Sequence, residues 1–438
     1  MFVLLALFGG SSRHDAETLF ILRPLLVLVA GGLVLLPAGD LAAPARLPGI
    51  LLGLLGLIIL LQLVPLPPAV WTRLPERAGY MQAAAWLGQP QPWRPLSIVP
   101  VLTCNSLLAL LPAGVTLIAA SRLDRSDLRF VVVVLLGCGI ASALLGAVQV
   151  GSDWGYLFSR NSPGLPTGVF ANRNHQAAFL AGLLPLLGAW AGLPGPRTSP
   201  LVQRLVAGAI ATLFVITVLI TGSRTGLLLT IIDLAGAGWI FWRARPRQKG
   251  RGVGRSLVPV AGLAAALAML VGAAIYLGRG GGVARFETFD AGAELRVQAF
   301  PVVRHLVAIY LPWGSGFGTF DPLYRIYEPD ALLNPTYFNN AHNDLMELAL
   351  TGGVPALLLL AALLGWMAWH GAGAARRWWA AGASWSNMVP VAALMMAVTW
   401  LVASLPDYPL RTPLAGASFA LACCLLPGGR RTRKDRSL

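Results

Sequence analysis

Charge is scarce in this sequence, and acid is scarcer than base. Only 12% of residues are charged, with 18 Asp and Glu against 33 Lys and Arg, and 56% are hydrophobic. With a mean hydropathy of +0.69, a soluble globular domain is excluded. Cysteine is equally sparse. Cys104, Cys138, Cys423 and Cys424 all lie in apolar stretches, and the adjacent last two are poorly placed for a mutual disulfide, so they read as packing residues. No CxxC, HExxH or clustered His, Asp and Glu at ligand spacing occurs, which argues against a protein-held metal and leaves no cofactor implied.

What is abundant is long apolar sequence. Runs of roughly 20 residues, enough to cross about 30 Å of hydrocarbon, fall near 21–37, 47–64, 100–120, 128–150, 171–193, 205–222, 224–242, 257–277, 353–371, 386–404 and 409–427. MFVLLALFGG at the start lacks a small-residue cleavage site and is read as a short first span or an interfacial segment. The expected fold is an all-α polytopic membrane protein of about twelve helices, or eleven if the first ten residues do not cross. Four regions follow: spans and short loops over 1–277, one large loop over 278–342, further spans over 343–427, and a basic tail over 428–438.

The net charge of +15 marks topology, not nucleic acid. The tail GGRRTRKDRSL and the loops at 121–129, 195–204, 243–255 and 373–379 are all basic and fall on one side when alternate loops are counted, which makes that side cytoplasmic. The opposite face receives 65–99, 151–170, 278–342 and 405–410. Within the long loop, apolar residues from Ala293 to Leu311 recur near a 3.6 period with Arg296 and Arg304 interleaved, which predicts an amphipathic helix along the membrane boundary.

Three polar constellations gather on that outer face. NNAHNDLMELALTGG (339–353) places His342, Asn343, Asp344 and Glu347 at the mouth of a span. Asn339 or Asn340 suits the N-cap, with Asp344 and Glu347 in the first turns where a helix dipole favours acid; His342 and Asn343 read either as capping residues or, for the imidazole, as a group suited to proton transfer near neutral pH. TGSRTGLLL (221–229) puts Arg224 at a membrane boundary, and GVFANRNHQAAFL (168–180) does the same with Arg173 and His175. Each alone is explained by capping or by a snorkelling arginine. Three on one face, with Arg296 nearby, argue for a convergent positive site able to grip phosphate oxygens. Aromatics of the outer loops, including Trp71, Trp313 and Tyr324, offer stacking faces for sugars, though most suit the interfacial belt.

GSRTGLL at 222–228, the Arg296 segment leading to LPWGSGFGTF at 311–320, and AHNDLMELALTGGVPALLLL at 341–360 resemble the O-antigen ligase and O-antigen polymerase superfamily in order and spacing. The resemblance covers roughly 165–425, and FANRNHQAAFL with LPDYPLRTPL (405–414) resembles its ligase-like members. It implies a membrane glycosyltransferase of the C type in the bacterial inner membrane, its active site facing the periplasm. The implied reaction is inverting and metal-independent. A glycan passes from undecaprenyl diphosphate to an acceptor hydroxyl, on lipid A-core for a ligase or on a growing polysaccharide for a polymerase. In that frame Arg224 and Arg296 hold the diphosphate and His342 activates the acceptor, with Asp344 or Glu347 orienting its ring. Asp233, a carboxylate within a span, motivates a rival reading as a transporter or flippase; no paired repeats accompany it.

Overall fold

The computed structural model describes residues 1–39, 41–152, 154–158, 164–193, 195, 198–244, 295–333, 338–381 and 383–428. The apolar run at 257–277, the start of the long loop, Tyr337 and all but the first residue of the basic tail lie outside them.

The described chain is mostly helical. In order come α1 (Phe2–Phe8), α2 (Leu19–Val34), α3 (Ala42–Leu61), α4 (Pro68–Trp71), α5 (Ala78–Trp86), α6 (Pro100–Leu108), α7 (Leu111–Ala120), α8 (Leu128–Gly151), α9 (Arg173–Gly192), α10 (Pro200–Thr221), α11 (Arg224–Ala244), α12 (Leu295–Tyr310), α13 (Phe320–Tyr327), α14 (Asp344–Ala380), α15 (Trp385–Ala403) and α16 (Pro413–Leu425). A two-residue antiparallel pair, β1 (Pro65–Leu66) with β2 (Arg94–Pro95), closes the loop after α3. Among the described residues seven helices, counting α6 with α7 and the turn before α8 with α8, are long and apolar enough to cross a membrane, and α2 and α16 are shorter apolar helices. This is a polytopic membrane protein.

Residues 1–10 do not make a spanning helix. α1 has seven residues and is about 10 Å long. The chain then leaves it through Gly9 and Gly10, whose carbonyls accept from Leu414 N and Ala171 N, both at 3.0 Å. Any Cβ at Gly10 would overlap the Val169 carbonyl oxygen, so only glycine passes there. The N-terminus thereby ties the segment before α9 to the start of α16.

α9 is the central helix, buried on every side beyond its first turn, as its Ala-, Gly- and Leu-rich sequence requires of a helix apolar all round. It runs parallel to α11 in very close contact. A Cβ at Gly226 would overlap Ala177, one at Gly188 the Ala237 carbonyl, and one at Gly192 the Ala244 side chain. Small residues along both helices let the backbones touch, which brings their N-termini, with Arg173, His175 and Arg224, side by side. Gly188→Ala is therefore expected to lower the thermal unfolding temperature in detergent by several degrees, in line with about 1–3 kcal/mol for overpacking. Gly31→Ala on α2, where nothing stands within 4 Å, should leave it unchanged.

Asp233 on α11 is buried and accepts from Thr399 Oγ1 of α15 at 2.7 Å. Its partner is thus a neighbouring helix, and the bond ties α11 to α15.

α14 is one helix by hydrogen bonding but kinks at Gly353, whose φ of 64° and ψ of −162° are non-helical. The cause is the preceding loop. Ser315 N and Gly316 N donate to the Leu350 and Thr351 carbonyls at 2.9 and 3.1 Å, and Val354 N donates to Pro312 O at 2.8 Å. Gly314, Gly316 and Gly318 all have positive φ, and a Cβ at Gly314 would overlap Thr351 O. Gln62 completes the joint, donating through Nε2 to Thr351 O at 2.9 Å and accepting from Phe317 N at 3.0 Å. The glycines of LPWGSGFGTF and of TGG thus serve one backbone-to-backbone junction, which seats α12 and α13 on the start of α14.

Candidate functional site

Five chain segments converge where α9, α11 and α14 begin. The first is the turn before α9. Its shape is set from below by Gln149, whose Oε1 accepts from Thr167 N and Gly168 N at 2.9 and 2.7 Å, and by Ser142 Oγ, which accepts from Val169 N at 3.1 Å. Asn172 then caps α9, accepting from Asn174 N at 2.8 Å. That cap turns Asn174 and His175 inward, and His175 is 1% exposed.

At the centre stands Asp407, 3% exposed, in the tight turn LPDYPL between α15 and α16. Its Oδ2 accepts from Asn174 Nδ2 at 2.8 Å and Asn172 Nδ2 at 3.2 Å, and Oδ1 accepts from Tyr408 N at 3.0 Å. His342 Nδ1 lies 3.3 Å and His175 Nε2 3.8 Å from Oδ1, and Arg296 Nη2 lies 3.9 Å from Oδ2. Arg296 also donates through Nη1 to Pro406 O at 3.1 Å. Burial alone would raise this carboxyl. The two imidazoles and the Arg296 guanidinium beside it win and hold it well below the ordinary carboxylate range.

His342 has the opposite balance. Burial, aided by the charges of Arg296 and His175, lowers its pKa, while Asp407 pulls it back up. The net effect holds the imidazole below its ordinary value. Tyr408 packs edge-on against it at 4.7 Å and Phe338 lies at 5.0 Å, fixing its plane. With Nδ1 turned to Asp407, Nε2 is the nitrogen left for a substrate.

Arg224 stands exposed at the first position of α11. Its neighbours Ser223 and Thr225 line a small crevice shared with Arg296, His175, Asn174 and Asp407. Arg173 points the other way in function, donating to Thr221 O at 2.9 Å, so that it braces the α10–α11 turn. A second, far larger cavity of about 620 Å³ lies between α2, α3, α7, α14 and α16 and shares no lining residue with the crevice. Its walls are leucine-rich, and Asn340, Asp344 and Arg411 bring it to the same loop.

The predicted residues are not all brought together. Arg296, His175 and His342 meet at Asp407. Asn343, and not Asn339 or Asn340, caps α14, accepting from Met346 N at 3.0 Å. Asp344 and Glu347 do not reach the imidazole; they pair with Arg411 at 3.0 Å each, and Asp407 orients the ring in their place. Trp71 and Tyr324 are fully buried, Trp71 donating to Pro92 O at 2.8 Å, so neither presents a sugar-stacking face; Trp313 is exposed. Asp407, Asn172, Asn174 and Arg411 carry no assigned role in the sequence reading. The signal for Asp407 and Arg411 was their position: a carboxylate and a guanidinium within ten residues of a proline-rich turn between two spans.

A membrane protein that gathers two histidines, a buried carboxylate and arginines at the ends of its helices has the parts of a group-transfer site acting on an anionic substrate. Residues 209–361 match the family model described as O-antigen ligase, which supports the resemblance of this region to the O-antigen ligase and polymerase superfamily. The match takes in Arg224, Arg296 and His342, and Asp407 lies beyond it. No curated protein matches the chain.

Proposed function

We propose that this protein transfers a glycan from undecaprenyl diphosphate to an acceptor hydroxyl at the periplasmic face of the bacterial inner membrane, within a C-type glycosyltransferase fold. The observation that carries the reading is the convergence of His342 and Arg296 on Asp407, inside and beside the matched domain.

The acceptor oxygen attacks the anomeric carbon as the bond to the diphosphate oxygen breaks, with inversion. The hydroxyl proton passes to His342 Nε2, and ionised Asp407 at Nδ1 stabilises the imidazolium that forms. Negative charge grows on the departing diphosphate. Arg296, which lines the crevice, and Arg224, between the lining residues Ser223 and Thr225, supply positive charge there, a preorganised electrostatic role. The leucine-lined cavity of about 620 Å³ beside the His342 loop supports an acceptor that is itself carried on a lipid, lipid A-core in a ligase or a second lipid-linked glycan in a polymerase.

The test is transfer in vitro by the purified chain, with radiolabelled undecaprenyl diphosphate glycan and EDTA present. Label moving to lipid A-core defines a ligase, and a ladder of longer lipid-linked glycans from donor alone defines a polymerase. Arg224→Ala and Arg296→Ala are each expected to lower kcat/KM by about 10²-fold. No transfer to either acceptor, with glycolipid movement across proteoliposomes that requires Asp233, would replace this reading with transport.

A further inference from the structure

Once His342, Asp407 and the arginines of the crevice are assigned, one ionic cluster is left without a use. Arg411 Nε lies 3.0 Å from Asp344 Oδ1 and Arg411 Nη1 lies 3.0 Å from Glu347 Oε1. Glu347 is 1% exposed, and its second oxygen accepts from Ala341 N at 2.9 Å. Charges taken this far from water are costly unless the geometry is closely satisfied, and this cluster surrounds one residue.

That residue is His342, whose φ of 47° lies in the left-handed region that a side-chain-bearing residue seldom occupies. Such a backbone persists only where its surroundings over-determine it. On the N-terminal side Ala341 N is held by Glu347. On the C-terminal side Asn343 caps the helix, and Asp344 N donates to Ser404 O at 2.9 Å. Arg411 joins the two sides, because its two nitrogens take one carboxylate from each bracket.

Arg411 also ends the 3₁₀ turn Pro409–Arg411, four residues after Asp407. One short segment therefore presents the carboxylate that faces the imidazole and the guanidinium that fixes the backbone carrying it. We infer that Arg411 is a positioning residue for His342, setting the imidazole in register with Asp407 through Glu347 and Asp344. The inference rests on the transfer reading above. A guanidinium is required because the two carboxylates are met by different nitrogens of one rigid fork, which an ammonium does not reproduce.

The experiment compares Arg411→Lys and Arg411→Gln with the unmodified full-length protein, each also in a His342→Ala background, by donor-saturation kinetics and thermal unfolding in detergent. Arg411→Lys keeps a cation between the carboxylates, so the test does not depend on Arg411→Gln folding. The expected result is a kcat lower by about ten- to a hundredfold, the scale of an ångström-level misplacement, with donor KM changed less than twofold. In the His342→Ala background Arg411→Lys should cost far less than in the unmodified protein, since a residue that acts through His342 has nothing left to act on. A folded Arg411→Lys protein with undiminished kcat would overturn the inference. So would an equal loss with and without His342, which is the mark of a purely structural role. Full turnover by His342→Ala itself would instead overturn the transfer reading on which the inference stands.

Discussion

Replacing His342 by alanine is expected to lower kcat by about 10²- to 10⁴-fold, the usual contribution of a general base, while donor KM stays within twofold. In the proposed reaction Arg224 and Arg296 hold the donor's diphosphate, and neither depends on the imidazole for its position: Arg296 is fixed by Pro406 O and Asp407, and Arg224 stands at the start of α11. The pH profile separates loss of a base from loss of packing. Burial lowers the His342 pKa, so the unmodified enzyme should gain kcat/KM with rising pH along a limb centred below the free-imidazole value of about 6.5 and be level near neutrality. His342→Ala should erase that limb. His342→Gln fills the ring's space and donates a hydrogen bond but takes up no proton, and it should be as inactive as alanine. Retention of the acidic limb in either variant would assign it to another group, and His175, facing the same carboxylate, is the one to examine.

The parts of this protein that were legible in its sequence are those that obey local rules. Apolar runs of bilayer length give most of the spans, and a 3.6-residue period over 293–311 accompanies the helix Leu295–Tyr310. Asparagine before an acidic first turn marks a helix start in any context, although the cap of α14 is Asn343 and not Asn339 or Asn340. What could not be read is set by tertiary contact. Asp344 and Glu347 sit one and four residues from Asn343, close enough in sequence to suggest that they serve His342 directly, yet both turn to Arg411, a residue more than sixty positions away. Asp407 lies in a turn whose prolines dominate its pattern, and its partners come from α9, α12 and the loop before α14. Gly188 and Gly226 look like ordinary membrane-helix glycines; only the partner helix shows that α9 and α11 touch there. The seven-residue α1 was ambiguous because hydropathy measures apolarity and not where the chain turns, and the turn at Gly9–Gly10 is fixed by bonds to residues 171 and 414.

Asp407→Asn is expected to cost about 10²- to 10⁴-fold in kcat and to move the acidic limb of the pH profile toward lower pH. The Asn172 and Asn174 side chains and Tyr408 N donate to this carboxylate, and both imidazoles and Arg296 lie within 4 Å of it. An amide in its place sets a fourth –NH₂ among donors, and it removes the negative charge that stabilises the imidazolium. The sign of the pH effect follows from the His342 balance. Burial lowers its pKa and Asp407 raises it; deleting the raising influence leaves the lowering one, so the ring holds its proton less well and the limb shifts acidward. The two effects come from one cause and must appear together. A neutral ring over a wider pH range would, by itself, favour the base, so any loss of rate in Asp407→Asn measures what the carboxylate does after the proton has moved. If kcat holds and only the limb shifts, Asp407 serves protonation of the resting ring alone. If kcat falls with no shift, the carboxylate is not in electrostatic contact with the catalytic base, and the placement of His342 against it at 3.3 Å has no part in the reaction.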